Sequence, residues 1–135
     1  MMTHFKAFIS GFLSTLVFHQ GLFGIFYLLG VIPRAPYNLD PVGLLSVPSV
    51  VSLSFFGGLW GIIIWGIISR TTGVKHWVKS FILGAIGPTA VAFFVVFPLK
   101  GIEINLAMIP FGLLLNGVWG IGVSVFMKYF FLRSK

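Results

Sequence analysis

Four long runs of apolar residues divide this sequence, and few polar side chains interrupt them. The runs cover about residues 7–32, 50–69, 80–99 and 106–127. An α-helix needs roughly 20 apolar residues to cross a bilayer, so each run is long enough to span one. The runs do not alternate between polar and apolar positions, as the strands of a membrane barrel do. The pattern therefore predicts an all-α fold, an integral membrane four-helix bundle.

The composition supports lipid as the solvent for most of these side chains. Of the 135 residues, 58% are hydrophobic and only 8% are charged, whereas a soluble domain carries about 25% charged residues. The chain has no cysteine, which excludes disulfides and thiolate metal sites. We expect a single transmembrane domain over residues 1–135, with the lipid bilayer as its partner.

The basic residues predict the orientation of the helices. Nine Lys and Arg side chains stand against two acids, and the formal net charge is +7. The positive-inside rule places the end of the bundle that is richer in basic residues in the cytoplasm, together with both chain termini. We expect a bacterial inner membrane. We expect no nucleic-acid partner, because basic residues that lie at helix ends indicate topology control. The basic residues at this end are Lys6, Arg70, Lys75, Lys79, Lys128, Arg133 and Lys135.

The opposite end carries both acids. Asp40 and Glu103 are expected to balance Arg34 and Lys100 on their own connections. The first of these connections, about residues 33–49, is rich in proline and cannot continue a helix. Its second part, about residues 42–50, is apolar again. Two interpretations of that part stay open, a short interfacial or re-entrant piece and an ordinary ordered loop.

Two short motifs occur twice in the same order. Residues 6–11 match residues 79–84 in Lys, Phe, Ile and Gly, and residues 58–62 match residues 117–121 in all but one position. The matches predict a parallel duplication of a two-helix hairpin, with a pseudo-two-fold axis along the membrane normal. From the Lys to the Trp there are 54 residues in the first copy and 40 in the second. The proline-rich connection would be the insertion that accounts for the difference.

Small residues recur four positions apart, a spacing that lets membrane helices approach closely. The pairs are Gly57 and Gly61, Gly120 and Ser124, Gly11 and Thr15, and Ser80 and Gly84. Two tryptophans lie too deep for an interfacial belt, and their rings are expected to fill space that glycines open on a neighbouring helix. We interpret five residues as packing contacts inside the bundle or as contacts of a homo-oligomer: Gly57, Gly61, Trp60, Trp119 and Gly120.

A layer of polar side chains is predicted at mid-depth, formed by His19, Gln20, Thr89 and Asn116. At 1.5 Å per helical residue, these positions lie roughly 15–20 Å from the cytoplasmic charges. Ionisable groups at that depth usually face the bundle interior and mark a ligand site or pathway. The alternative for His19 is a structural role, as a neutral side chain that shares hydrogen bonds with Asn116, Thr89 or a main-chain carbonyl.

The sequence contains no phosphate-binding glycine loop, zinc spacing or nucleophile elbow. We therefore predict no catalytic residue, no metal and no cofactor, and we do not expect an enzyme. The first hypothesis is a non-enzymatic membrane protein that self-associates and forms a small-solute or ion pathway lined by the polar layer. The second is an accessory subunit of a larger membrane complex. A weaker third is a His-dependent enzyme or cofactor carrier that uses His19, because His4 and His76 would fall near or beyond the cytoplasmic interface.

Overall fold

A computed structural model describes residues 2–131 as four long helices packed side by side. They are α1 (Met2–Leu28), α2 (Ser49–Ile68), α3 (Gly73–Leu99) and α4 (Leu106–Phe131). Each helix is long and apolar enough to cross a membrane, which fits a polytopic membrane protein. The all-α four-helix bundle that the sequence predicts is confirmed. Arg133 and Lys135, which we assigned to the cytoplasmic end, lie outside the described residues.

Two helix boundaries differ from the predicted ones for local reasons. Helix α1 ends at Leu28, and Gly30 follows with a φ of +75°, a left-handed conformation that commonly terminates helices. Helix α3 already begins at Gly73, after Thr72 in an extended conformation. Residues 73–79, which include Lys75 and Lys79 and precede the predicted third helix, therefore form the first two turns of α3. We call the end of the bundle that holds the α2–α3 turn the terminal end, and the opposite one the loop end.

The connection from α1 to α2 contains a small antiparallel hairpin of β1 (Pro41–Val42) and β2 (Val47–Pro48). Leu44 and Leu45 lie at its tip and are exposed. Most of the apolar part of this connection is thus a β-turn hairpin. The main-chain N–H groups of Ser49 and Val50 donate to the carbonyls of Asp40 and Asn38 at 2.9 and 2.8 Å. These bonds satisfy donors that the first turn of α2 leaves free.

The four helices form two close pairs, α1 with α2 and α3 with α4. In the first pair, a Cβ on Gly61 would lie 2.5 Å from the carbonyl oxygen of Ala7 and 2.9 Å from Cα of Gly11. In the second, a Cβ on Gly84 would lie 2.9 Å from Cα of Gly120. The backbones touch at both points, so any side chain there would push the helices apart.

Aromatic rings pack on glycines at corresponding positions of the two pairs. The Phe8 ring covers Gly58, and the Phe81 ring covers Gly117, with ring carbons 2.5 and 2.6 Å from the place where a Cβ would stand. Gly57, another of the residues singled out in the sequence, packs against Thr15 of α1. The contacts of the two hairpins thus follow the repeated motifs position by position.

The two pairs join chiefly through α1 and α4. The indole of Trp119 donates from Nε1 to the Gly11 carbonyl at 3.1 Å, and Ser14 Oγ donates to the Trp119 carbonyl at 2.6 Å. Trp60 makes the related contact between α2 and α3, where its ring lies about 3.0 Å from a Cβ position on Gly87. Each deep tryptophan thus packs on the first helix of the other hairpin.

The close approach of α1 and α2 can be tested with two alanine substitutions. Gly61→Ala should lower the free energy of unfolding by about 1–3 kcal/mol, because the added methyl forces the backbones apart. Gly66→Ala in the same helix is the matched control, because nothing lies within 4 Å of its Cβ position. That variant should be unchanged or up to about 1 kcal/mol more stable, since alanine favours helix. Denaturation by SDS, followed by circular dichroism, measures both, and equal effects would contradict the packing role.

Candidate functional site

The four polar residues predicted at mid-depth form two separate pairs. Asn116 Nδ2 donates to Thr89 Oγ1 at 2.8 Å, and Thr89 Oγ1 donates to the Gly112 carbonyl at 3.2 Å. This first pair therefore links α3 to α4. His19 and Gln20 form the second pair on α1. Within residues 2–131 no side-chain hydrogen bond joins the two pairs, so the predicted layer is not one network.

The connection after α1 folds back along that helix. Pro36 packs on Gly24, with its Cγ 3.2 Å from the place where a Cβ of Gly24 would stand. Further down, the hydroxyl of Tyr37 donates to the Leu16 carbonyl at 2.7 Å. Leu16 lies twelve residues below the end of α1 at Leu28, which is about 18 Å along the helix. The segment that turns back into the bundle is therefore residues 36–38, ahead of the stretch 42–50 for which a re-entrant piece was considered.

Two local departures from regular geometry allow this contact. Residues Thr15–His19 of α1 form a turn of π-helix, a feature that often accompanies functional sites. Tyr37 has a φ of +58°, a left-handed conformation that is uncommon for a residue other than glycine. The first places the Leu16 carbonyl within the irregular turn, and the second directs the chain of the connection back toward it.

A cleft of about 190 Å³ remains between α1, α2 and the returning connection. We call it the His19 cleft. It adjoins a wider, open cavity of about 500 Å³ that is lined by residues 34–38 and Asp40. The lining of the cleft combines polar and apolar side chains: His19, Gln20, Phe23, Arg34, Ala35, Asn38, Val50 and Leu53.

The hydrogen bonds of Gln20 fix the proton position on His19. The main-chain N–H of Tyr37 donates to Gln20 Oε1 at 2.7 Å, and a main-chain N–H can only donate. The other amide atom, Nε2, is therefore the donor that lies 3.1 Å from His19 Nδ1. Nδ1 accepts this bond and carries no proton. In the neutral imidazole the proton is then on Nε2, and that N–H is left to donate elsewhere.

Arg34 was expected to be balanced by an acid on its own connection, and the described residues contain no ion pair that confirms this prediction. Asp40 and Arg34 line the same outer cavity, but no ion pair within 4.0 Å is formed by Asp40 or by Glu103 in residues 2–131. Arg34 also makes no side-chain hydrogen bond to that part of the chain. Its guanidinium therefore remains available at the rim of the His19 cleft.

A second histidine site was missed in the sequence. His76 was placed near or beyond an interface, but its side chain is fully buried at the terminal end. Its Nδ1 lies 3.1 Å from the carbonyls of Ile68 and Thr71, and its Nε2 lies 2.9 Å from Ser124 Oγ. Carbonyls only accept, so Nδ1 carries the proton and the Ser124 hydroxyl donates to Nε2. The spacing of His76 and Ser80, one helical turn apart, was the available signal.

This second site has the geometry of a structural link. Ser80 Oγ lies 2.7 Å from Ser124 Oγ and 2.9 Å from the His76 carbonyl, and because the Ser124 proton goes to His76, Ser80 donates its one proton to either of these two acceptors. The three side chains have no exposed surface. Together they join the end of α2, the start of α3 and the last part of α4, and no described cavity reaches them.

Two fully buried serines allow a matched test of this link. Ser124→Ala removes the donor to His76 Nε2 and should lower the free energy of unfolding by about 1–3 kcal/mol, because a buried acceptor is left unpaired. Ser10 is equally buried, but its Oγ makes no hydrogen bond in residues 2–131. Ser10→Ala should therefore be neutral or stabilising. Unfolding in detergent measures both, and an equal loss in the two variants would rule out the proposed bonding.

Comparison with protein-family models, with curated proteins and with solved structures gave no match. The function is therefore argued from the geometry of this chain alone.

Proposed function

We propose that this chain is a non-enzymatic polytopic membrane protein that admits a small polar solute or ion to the His19 cleft. The observation that carries the proposal is the return of residues 36–38 along α1, which leaves a cleft of mixed polarity beside the helix. His19 lies nine residues below Leu28, or about 14 Å along α1, and the cleft reaches Val50 and Leu53 in the first turns of α2. Ionisable groups within membrane spans are costly and are mostly retained for function.

The orientation remains that inferred from the charges, with the terminal end in the cytoplasm of a bacterial inner membrane. The His19 cleft would then open toward the outer side. Below it, the terminal half is filled by side chains with no exposed surface: Ile68, Val123 and Met127, with Trp119 close beside them. One copy therefore offers an entrance without an exit. A complete pathway requires a second copy or a rearrangement of the two hairpins, and we propose that the chain self-associates.

The accessory-subunit hypothesis depended on glycine faces as docking surfaces. Gly57, Gly61 and Gly120 are in contact with other helices of the same chain. Gly21 and Gly66, and Gly73 at the start of α3, have nothing within 4 Å of their Cβ positions and are the helical glycines left for contact with another protein. The accessory-subunit reading therefore has fewer such contacts to use, and we rank it second.

Native mass spectrometry of the protein extracted gently from its own membrane separates these two readings. We expect a homo-oligomer, because a single copy contains no continuous path. A fixed stoichiometry with other polypeptides would favour the accessory subunit instead. A stable monomer without partners would contradict self-association, and it would leave the His19 cleft as a binding site only.

We also propose that the two hairpins arose by duplication of one unit. The matched glycine and phenylalanine contacts support this, as does the length of the connections. The connection after α1 covers residues 29–48, which is 20 residues, and the one after α3 covers residues 100–105, which is six. The difference of 14 equals the difference between the two Lys-to-Trp distances, 54 against 40 residues. The inserted residues then build the cleft, which places the functional element in the first hairpin.

The absence of cysteine in the chain makes the cleft accessible to a direct chemical test. Leu53→Cys in the cleft should react with a membrane-impermeant thiol reagent added to the outer side of spheroplasts. Phe55→Cys is the control, because Phe55 is similarly exposed, 48% against 42% for Leu53, and lies two residues further into α2 but outside the cleft lining. We expect modification of the first and little of the second, because water reaches only the cleft. Equal protection of both cysteines would contradict a water-accessible cleft.

A further inference from the structure

We propose that the ligand of the His19 cleft is an oxyanion, with a phosphate group as the best fit, held by Arg34, His19 and Asn38. This inference rests on the proposed function and names the class of solute that the cleft takes. It follows from which hydrogen-bonding atoms the protein itself already uses, and from the charges around the cleft.

The acceptor atoms of the lining are occupied by donors of the protein. Gln20 Oε1 accepts the N–H of Tyr37 at 2.7 Å, and His19 Nδ1 accepts from Gln20. Asn38 Oδ1 accepts the main-chain N–H of Asp40 at 2.8 Å. The side-chain groups of the lining that make no hydrogen bond are N–H donors, on His19 Nε2, on the amide nitrogen of Asn38 and on the guanidinium of Arg34. These free donors favour a ligand that accepts.

The unbonded nitrogen of His19 is open to such a ligand. Ser10 Oγ is the one buried side-chain polar atom without a hydrogen bond in the part of the chain that the structure describes. His19 Nε2 makes no hydrogen bond there either, so it must be accessible, and His19 lines the cleft. Its proton is therefore free to donate to a ligand in the cleft.

The charge of the lining favours an anion. Arg34 is permanently positive and offers five N–H donors in a planar fork, which suits the oxygens of phosphate or carboxylate. The lining of the His19 cleft contains no acid, and Asp40 lines only the wider outer cavity beside it. A permanent positive charge beside a partly desolvated cleft attracts an anion more strongly than it would in water.

The size of the cleft limits what part of a ligand it holds. Its 190 Å³ corresponds to about six water molecules at roughly 30 Å³ each. That volume accommodates a single phosphate group and is smaller than sites for drug-sized molecules, which measure about 300–1,000 Å³. The phosphate group has two possible sources, the head group of an anionic phospholipid and free phosphate from solution.

The sign of the preferred ligand is tested with Leu53→Cys in dodecyl maltoside. The reaction rates of a negatively charged sulfonate thiol reagent and of a positively charged ammonium one are compared. We expect the anionic reagent to react faster by on the order of tenfold, as a nearby positive charge predicts. Arg34→Gln should abolish the preference and Arg34→Lys should retain it. Neither change removes a hydrogen bond within residues 2–131, so the fold should be maintained.

Binding is tested by protection of the same cysteine in delipidated protein. Inorganic phosphate and phosphatidylglycerol are added separately, and the slowing of a neutral thiol reagent is measured. At a ligand concentration of about twice the Kd, the reaction should slow about threefold, because the fraction of unoccupied protein falls by the factor 1 + [L]/Kd. Protection by phosphate alone identifies a free oxyanion, and protection by the lipid alone identifies a head group. Both effects should be lost in Arg34→Gln.

The outcomes separate the two proposals. If Leu53→Cys reacts but shows no preference for the anionic reagent and no protection by either ligand, the oxyanion inference is overturned and the accessible cleft stands. If Leu53→Cys reacts with none of the reagents, the cleft is closed to water. In that case the proposed function fails together with the inference that rests on it.

Discussion

The close contact of glycine backbones determines how the rest of this bundle is arranged. In lipid, apolar side chains gain little by leaving their surroundings, so helices associate through close packing and hydrogen bonds. Gly11 against Gly61 and Gly84 against Gly120 bring each pair of helices to backbone contact. The two tryptophans then connect the pairs, and Trp119 does so with a hydrogen bond to the carbonyl of Gly11, at the same contact. Gly11 thus takes part in the contacts of α1 with both its neighbours.

The polar side chains of the bundle divide into satisfied links and one site with free donors. At the terminal end, His76, Ser80 and Ser124 bond to one another and to main-chain carbonyls, which suits groups without access to water. Thr89 and Asn116 likewise satisfy each other. The His19 cleft differs, because the side-chain acceptors of His19, Gln20 and Asn38 each accept a bond within the protein while donors on His19 and Asn38 remain free. That difference, rather than the presence of a histidine in a span, is the ground on which we propose a binding site there.

The fold could be predicted from the sequence because it follows from length and periodicity. Four apolar runs specify four helices, and the repeated glycines lie where the backbones meet. His19 and Gln20 could be singled out because a polar residue in an apolar run is conspicuous. Arg34, Tyr37 and Asn38 could not be joined to them, because no periodic pattern marks the reversal of an irregular segment or a positive φ at Tyr37. The burial of His76 was not predicted because the residues around it were taken as a loop, whereas they form the start of α3.

The asymmetry between the hairpins explains why a site forms in only one of them. In the second hairpin, six residues join α3 to α4, and at mid-level Thr89 bonds directly to Asn116 and to the Gly112 carbonyl. At the corresponding level of the first hairpin, α1 meets residues 36–38 of the longer connection. The main-chain N–H of Tyr37 donates to Gln20, and the Tyr37 hydroxyl donates to the Leu16 carbonyl. The segment thus satisfies acceptors on α1 without filling the space between α1 and α2. The same length that prevents the connection from closing tightly therefore creates a cleft with unpaired donors. Under the proposed duplication, the cleft is a product of the insertion, whereas the helix pairs supply the frame that holds it.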